Sequence, residues 1–297
     1  MMDIPDCLCI GAAHWDVIGH SPAQIAPGDD VPGQIYQSAG GVALNVARAL
    51  AQQGHRPALI AAIGQDGAGT ALVATIQAAG IETRCLVRSA LPTDAYIGIE
   101  DTNGLIAAIA ASRALEGLDI GCLAPLQDGR LGSDAVPWRG PVVIDSGVSP
   151  SLLEALAYAP ALEGCDVRLT AASPAKAARL RVFLGRQGCC FYLNLAEAGA
   201  LCATPFPDSA HAARALLGLG AARVLVTHGP HSATDADAAA VITLPPPAVP
   251  ALRVTGAGDH FMGAHIAQEL SGAPREIALR HALNAAAAHV SQAPHPS

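Results

Sequence analysis

The residues best suited to chemistry lie in Gly256-Ala257-Gly258-Asp259, inside the run Arg253-Val-Thr-Gly-Ala-Gly-Asp-His-Phe-Met-Gly263. Gly256 and Gly258 permit a tight turn and close backbone approach to a ligand. A helix-compatible stretch, His260 to Leu270, follows. The first N–H groups of a helix starting here are unpaired, and the positive end of its dipole faces the turn. Such an opening receives anions, phosphate above all. A carboxylate beside that anion would repel it, unless Asp259 takes a proton from an attacking hydroxyl while the amides hold a phosphoryl group. Taken alone the string also fits a plain N-cap after a glycine-rich turn.

Other candidates lie upstream. Asp16 follows the short apolar run Asp6–Ala13, just past the carboxyl end of a predicted buried strand, where α/β sheets place ligand contacts. A turn or cap residue is the equal alternative. Gly40-Gly41 opens a helix on which Val42, Val46, Ala49 and Leu50 share one stripe, with Gly54 placed to stop it. Asn45, a mediocre helix former one turn in, asks for a polar partner unless it faces solvent. Asn194 and Glu197 stand at the spacing of a capping box.

The elements that must position these residues alternate. Strands are predicted at 57–63, 142–144, 167–170, 190–193 and 223–227, and helices at 71–79, 151–157, 174–184, 197–201, 209–217 and 277–290. Short links between them imply a mostly parallel sheet covered on both faces. The segment 95–109 departs from this: two apolar runs flank an Asn-Gly turn, which is a hairpin signal. With residues 14–37, an irregular or edge-strand excursion from residue 21 onward, it can form a small sheet over the site. One domain over 1–297 is expected, with a lid built from roughly 14–37 and 92–112. The Pro245–Pro250 stretch reads as a rigid link into the turn.

Composition narrows the function. A chain of 297 residues that is 51% hydrophobic is globular. Its net charge of −8 argues against a nucleic-acid surface. Eight cysteines without Cys-x-x-Cys spacing suit buried thiols better than zinc or disulfides. Among eleven histidines, His260 and His265 lie five apart and on different helix faces, so no histidine metal site is expected. With no basic leader and no apolar run near the roughly 18 residues that span a bilayer, a cytoplasmic protein without membrane contact is expected. A dehydrogenase reading fails because Gly11 is followed by Ala-Ala-His rather than the dinucleotide fingerprint.

Five motifs in order, the Gly-Gly-x-x-x-Asn helix, Gly64-x-Asp-x-x-Gly69, Asn194-x-x-Glu197, Val226-Thr-x-Gly229 and the Gly-Ala-Gly-Asp turn, resemble the ribokinase-like (PfkB-type) carbohydrate kinase family over almost the whole chain. The opening Ala12–Gly19, the hairpin and Ala172–Leu180 look most like its pseudouridine kinases. The resemblance implies a three-layer α/β fold with a β-sheet lid, and homodimerisation through that lid. It implies transfer of the γ-phosphoryl group of ATP, with Mg²⁺, to a primary hydroxyl of a sugar or nucleoside, pseudouridine first and a ribose-type sugar or another nucleoside as alternative. Asp259 would be the base, and the amides of Gly256, Ala257 and Gly258 the anion hole. Asp16, Gly40, Gly41 and Asn45 would grip the acceptor. Thr227 and Gly229 would lie by the nucleotide phosphates and Asn284 near adenine, while Asn194 and Glu197 would organise Mg²⁺ through water. Departures at Arg253, Val254, His260, Leu44 and Ala110–Ser112 touch substrate choice and the potassium effect seen in many relatives. A non-catalytic sensor on the same fold is the rival class, against which the intact Asp259 counts.

Overall fold

The computed structural model describes residues 5–292. The strands are β1 (Cys7–Ile10), β2 (His14–His20), β3 (Gln34–Gly40), β4 (Pro57–Ile60), β5 (Ala62–Gly64), β6 (Val87–Ser89), β7 (Ala95–Asp101), β8 (Gly104–Ala111), β9 (Val142–Asp145), β10 (Val167–Thr170), β11 (Cys189–Asn194), β12 (Arg223–His228), β13 (His231–Asp237) and β14 (Val241–Leu244). The α-helices are α1 (Val42–Gln52), α2 (Gly67–Ala78), α3 (Arg113–Glu116), α4 (Pro150–Ala157), α5 (Pro174–Ala177), α6 (Leu195–Cys202), α7 (Ser209–Gly218), α8 (Ala257–Leu270) and α9 (Arg275–Val290).

Eight strands make the main sheet, in the order β14-β13-β12-β11-β10-β9-β1-β4. From β4 to β12 every pairing is parallel, and β13 and β14 add an antiparallel edge. Successive side chains of a strand face opposite ways, so each buried strand feeds two cores. Leu8 and Ile10 pack with α4, α6 and α7 on one face, whereas Cys7 and Cys9 pack with α1, α2, α8 and α9 on the other. The result is a three-layer α/β fold.

A second sheet, β3-β2-β7-β8, stands off the main one, with β2 and β7 parallel and the outer pairs antiparallel. Asp16 pairs with Ser38 and Tyr96 and shares their face of this sheet. The opposite face carries Val17, Ile97 and Ile109 in register, with Ile35 and Ile99 beside them. Ile35, Ile97, Ile99 and Ile109 are all exposed.

Several boundaries differ from the sequence reading. Of residues 21–37, read as irregular or edge strand, 34–37 are edge strand, pairing with Val17–His20 of β2. The expected helix 174–184 is a single α-turn followed by a 3-10 stretch, Ala178–Phe183. Strand 57–63 breaks at Ala61 into β4 and β5, the latter pairing with β6. The helix after the Gly-Ala-Gly turn begins at Ala257, not His260. Strands β13 and β14 were not anticipated. The polar run His231–Asp237 becomes a strand because Asp235, fully buried, is held by Arg223 at 2.7 Å and Arg275 at 2.6 Å. Glu269, in the last turn of α8, bonds Arg168 and Arg223, each at 2.6 Å. This ties the far end of α8 to the sheet and leaves its N-terminus at the cleft. Among the described residues no helix is long and apolar enough to cross a membrane.

Candidate active site

The site is built where α8 starts. Gly256, with φ +85°, turns the chain into the helix and contributes no side-chain cap. Asp259 is the third helical residue, so it is not the N-cap. Among the described residues the N–H groups of Gly256, Gly258 and Asp259 have no partner. The Ala257 N–H does: it donates to the Val254 carbonyl at 3.2 Å, which corrects its expected place among the free donors. Three unpaired amides at a helix N-terminus make an anion-binding concavity.

Asn45, on α1, donates from Nδ2 to Asp259 Oδ2 at 2.9 Å, which gives the amide the polar partner its position called for. The two helices can approach this closely because Gly263 faces α1, where a Cβ would collide with Ala49. Burial pushes the Asp259 carboxyl up to about 7, partly offset by the Asn45 bond and reinforced by the charges of Asp145 and Glu197.

Asp145 was not singled out by sequence reasoning. It ends β9, is fully buried, and accepts from the N–H of Ala12 at 3.1 Å and of Gly147 at 2.7 Å. Burial raises its carboxyl, opposed by those two bonds and by the charges of Lys176 and His14. Gly11 lies so near that a Cβ there would overlap the Asp145 side chain. The signal that could have found it is the one used for Asp16: a carboxylate at the carboxyl end of an apolar strand. Lys176, half-buried on α5, is the sole lysine of the chain, against sixteen arginines.

Asn194 and Glu197 form the capping box in full. Glu197 N–H donates to Asn194 Oδ1 at 2.9 Å, and Asn194 N–H donates to Glu197 Oε2 at 2.8 Å. Burial pushes the Glu197 carboxyl up to about 7. Its Oε1 makes none of these bonds. Asp145 and Glu197 thus both bear on Asp259, and none of the three has an ion pair among the described residues. That is a donor set a hydrated divalent cation fits, taking the free Glu197 oxygen and water rather than a closed protein cage. No cluster of three or more His, Cys, Asp or Glu side chains poised to hold a metal ion by themselves exists among the described residues.

On the acceptor side, His14 Nε2 lies 3.1 Å from Asp16 Oδ1. Gly40 leaves room for the Asp16 carboxylate, which a Cβ there would overlap. Gly41, with φ +104°, caps α1 beside the Ala12 carbonyl. Arg48 braces this corner, donating to Asn45 Oδ1 at 3.4 Å and the Ala39 carbonyl at 3.1 Å. Leu44, a departure expected to touch substrate choice, is fully buried in the core.

A cleft of about 770 Å³ opens on the other side, walled by α6, Pro205 and Phe206 and by Thr227, His228 and Gly229 at the end of β12. Asn194 pairs with Thr227 across β11 and β12, so the capping box forms its floor. His228 had not been singled out. Asn284, exposed on α9, does not line this cleft.

Comparisons with known proteins bear on the family and the fold. The model of the pfkB family of carbohydrate kinases matches residues 5–294. A curated pseudouridine kinase from Escherichia coli (strain K12) is 33% identical over 96 residues, 32% of this chain and 31% of its own length. A carbohydrate kinase from Agrobacterium tumefaciens superposes with TM-score 0.79 at 27% identity, covering 96% of this chain and 90% of that one. Ribokinase of Arabidopsis thaliana, solved with ribose and ATP, gives TM-score 0.81 at 20% identity, covering 98% and 94%.

Proposed function

We propose, on the premise that this chain belongs to the pfkB family of carbohydrate kinases, that it transfers the γ-phosphoryl group of ATP to the 5′-hydroxyl of pseudouridine. The observation that carries the reading is Asp259 standing beside three unpaired amides with its proton affinity raised to the neutral range. A base with that affinity takes a proton efficiently near neutral pH. The acceptor hydroxyl gives its proton to Asp259 while its oxygen bonds to the γ-phosphorus. The bond from that phosphorus to the bridging oxygen breaks, and ADP carries the electron pair away. The amides of Gly256, Gly258 and Asp259, with the α8 dipole, hold the equatorial oxygens of the moving group.

The triphosphate lies along Thr227 and Gly229, with the base against the apolar wall of Pro205 and Phe206. Mg²⁺, when bound, would neutralise the phosphates, and Glu197 and Asn194 would hold it through water. The ammonium of Lys176 adds a mobile positive charge at the carboxyl ends of β9 and β10. Asp16 and Asn45, with the Gly40–Gly41 turn, grip two neighbouring sugar hydroxyls, a pairing natural for a diol. The identity of 33% over 96 residues with a pseudouridine kinase supports the choice of acceptor. A ribose-type sugar or another nucleoside is the alternative, because Asp16 and Asn45 read a diol rather than a base.

ADP release measured over a panel of nucleosides and sugars tests this. Turnover is expected with pseudouridine foremost; binding of ATP without acceptor-dependent ADP release would make the chain a sensor. Two further parts of the reading are a cytoplasmic location and a homodimer. The exposed isoleucine face of the lid sheet is an apolar surface that a second copy would cover. Ile97→Lys with Ile109→Lys should then lower the mass seen by sedimentation, and an unchanged mass would remove the lid from the interface.

A further inference from the structure

Two histidines hold the catalytic turn, His260 directly after Asp259 and His289 outside every motif described above. His260, on α8, directs Nδ1 to the Gly256 carbonyl at 2.9 Å. His289, on α9, directs Nε2 to the Thr255 carbonyl at 2.8 Å. The rings stack, with centroids 3.9 Å apart and planes inclined by 25°. A carbonyl only accepts, so each of these nitrogens carries the hydrogen. Burial, joined by the charge of Arg253, holds both imidazoles below their ordinary 6.5. Each ring is therefore neutral, with one N–H, spent on the turn.

The consequence follows from peptide geometry. In a planar trans peptide the C=O and the next N–H point opposite ways. Drawing the Thr255 carbonyl toward α9 turns the Gly256 N–H away from it. The same carbonyl is the acceptor that the Asp259 N–H would use if α8 ran one turn further back. With His289 on it, and Gly256 in the left-handed region, the Asp259 amide stays unpaired. A Cβ on Gly256 would sit 3.3 Å from His289 Nε2, so the ring is fitted to glycine at that position. The Gly256 carbonyl is doubly held, by the His260 backbone N–H at 3.1 Å and by its ring.

We propose that His260 and His289 are positioning residues: a stacked imidazole latch that takes the Thr255 and Gly256 carbonyls out of play and so keeps the phosphoryl-receiving amides open. This rests on the kinase reading for its kinetic consequence, though not for its geometry. Amides that act on the moving phosphoryl group act chiefly in the transition state, so disturbing them lowers kcat more than affinity.

His289→Phe keeps a stacking ring and removes the donor; His289→Gln keeps a donor and removes the ring. The latch predicts that His289→Phe loses about 10- to 100-fold in kcat, with the KM for ATP changed less than about threefold, and that His289→Gln recovers most of the loss. Equal losses in both variants, or none in His289→Phe, would overturn it. Long-range nitrogen NMR of the wild-type protein gives an independent decision. His260 must be the Nδ1–H tautomer and His289 the Nε2–H tautomer; the opposite assignment of either overturns the latch even if the variants misfold. A wild-type protein without acceptor-dependent turnover would instead defeat the kinase reading, leaving the tautomers to judge the latch.

Discussion

Replacing Asp259 by asparagine separates what this carboxylate does for chemistry from what it costs the fold. The side chain keeps its shape, and its amide oxygen can still accept from Asn45 Nδ2. Lifting a carboxyl from 3.8 to about 7 penalises the ionised folded form, since each tenfold change in proton affinity is worth about 1.4 kcal/mol. The ceiling is about 4 kcal/mol, and contact with the open cleft lowers the expectation to ~1–3 kcal/mol. The folded affinity is the higher one, so the wild-type protein has its full stability below pH 3.8. It loses this share as pH rises through about 7. Asparagine bears no such loss. Urea unfolding should therefore find Asp259→Asn more stable at pH 8 by that amount, with the advantage shrinking toward pH 4.5. Turnover should fall by at least ~10²-fold at pH 8, with ATP binding kept. A variant no more stable at pH 8, or one that turns over within a few-fold of wild type, would refute the assignment of a buried base.

Other perturbations reach the neighbouring parts. Asn45→Ala removes the bond that lowers the Asp259 proton affinity, so the acid limb of kcat/KM should move to higher pH; a limb that stays or falls would contradict the pairing. Gly40→Ala pushes a methyl group into the Asp16 carboxylate. The KM for the acceptor should rise by about tenfold or more, the worth of one well-placed hydrogen bond to a charged group, with ATP affinity unchanged. Arg253 stands beside the turn whose Thr255 carbonyl is already taken by His289. Rates in potassium and in a bulky organic cation should accordingly agree within about twofold, the reading being that a tied carbonyl offers a monovalent ion little. A strong potassium activation would show an ion site elsewhere.

Much of the architecture is legible locally. The buried strands β1 and β9 carry continuous apolar runs bounded by glycine and polar residues, and the Asn-Gly turn marks the β7–β8 hairpin. Where tertiary partners decide, local reading fails. Strand β13 looks like a loop until Arg223 and Arg275 neutralise Asp235. The site shows the same division. Asp259 and Asn45 each stood out, yet the bond between them spans 214 positions and exists only once α1 and α8 pack. Asn194 and Glu197 were equally a metal-organising pair and a capping box, and the fold makes the box without consuming both Glu197 oxygens. Asp145 carries no glycine motif to announce it. The engagement of the Ala257 amide depends on a turn conformation that its neighbours' types do not fix.

The most direct measurement is a structure of the protein with ADP, Mg²⁺, aluminium fluoride and pseudouridine. The account predicts the planar fluoride group against the amides of Gly256, Gly258 and Asp259, at about 2.7–3.2 Å, with the 5′-hydroxyl donating to the Asp259 carboxylate. A fluoride group held elsewhere in the cleft, or an acceptor hydroxyl with no contact to Asp259, would contradict it.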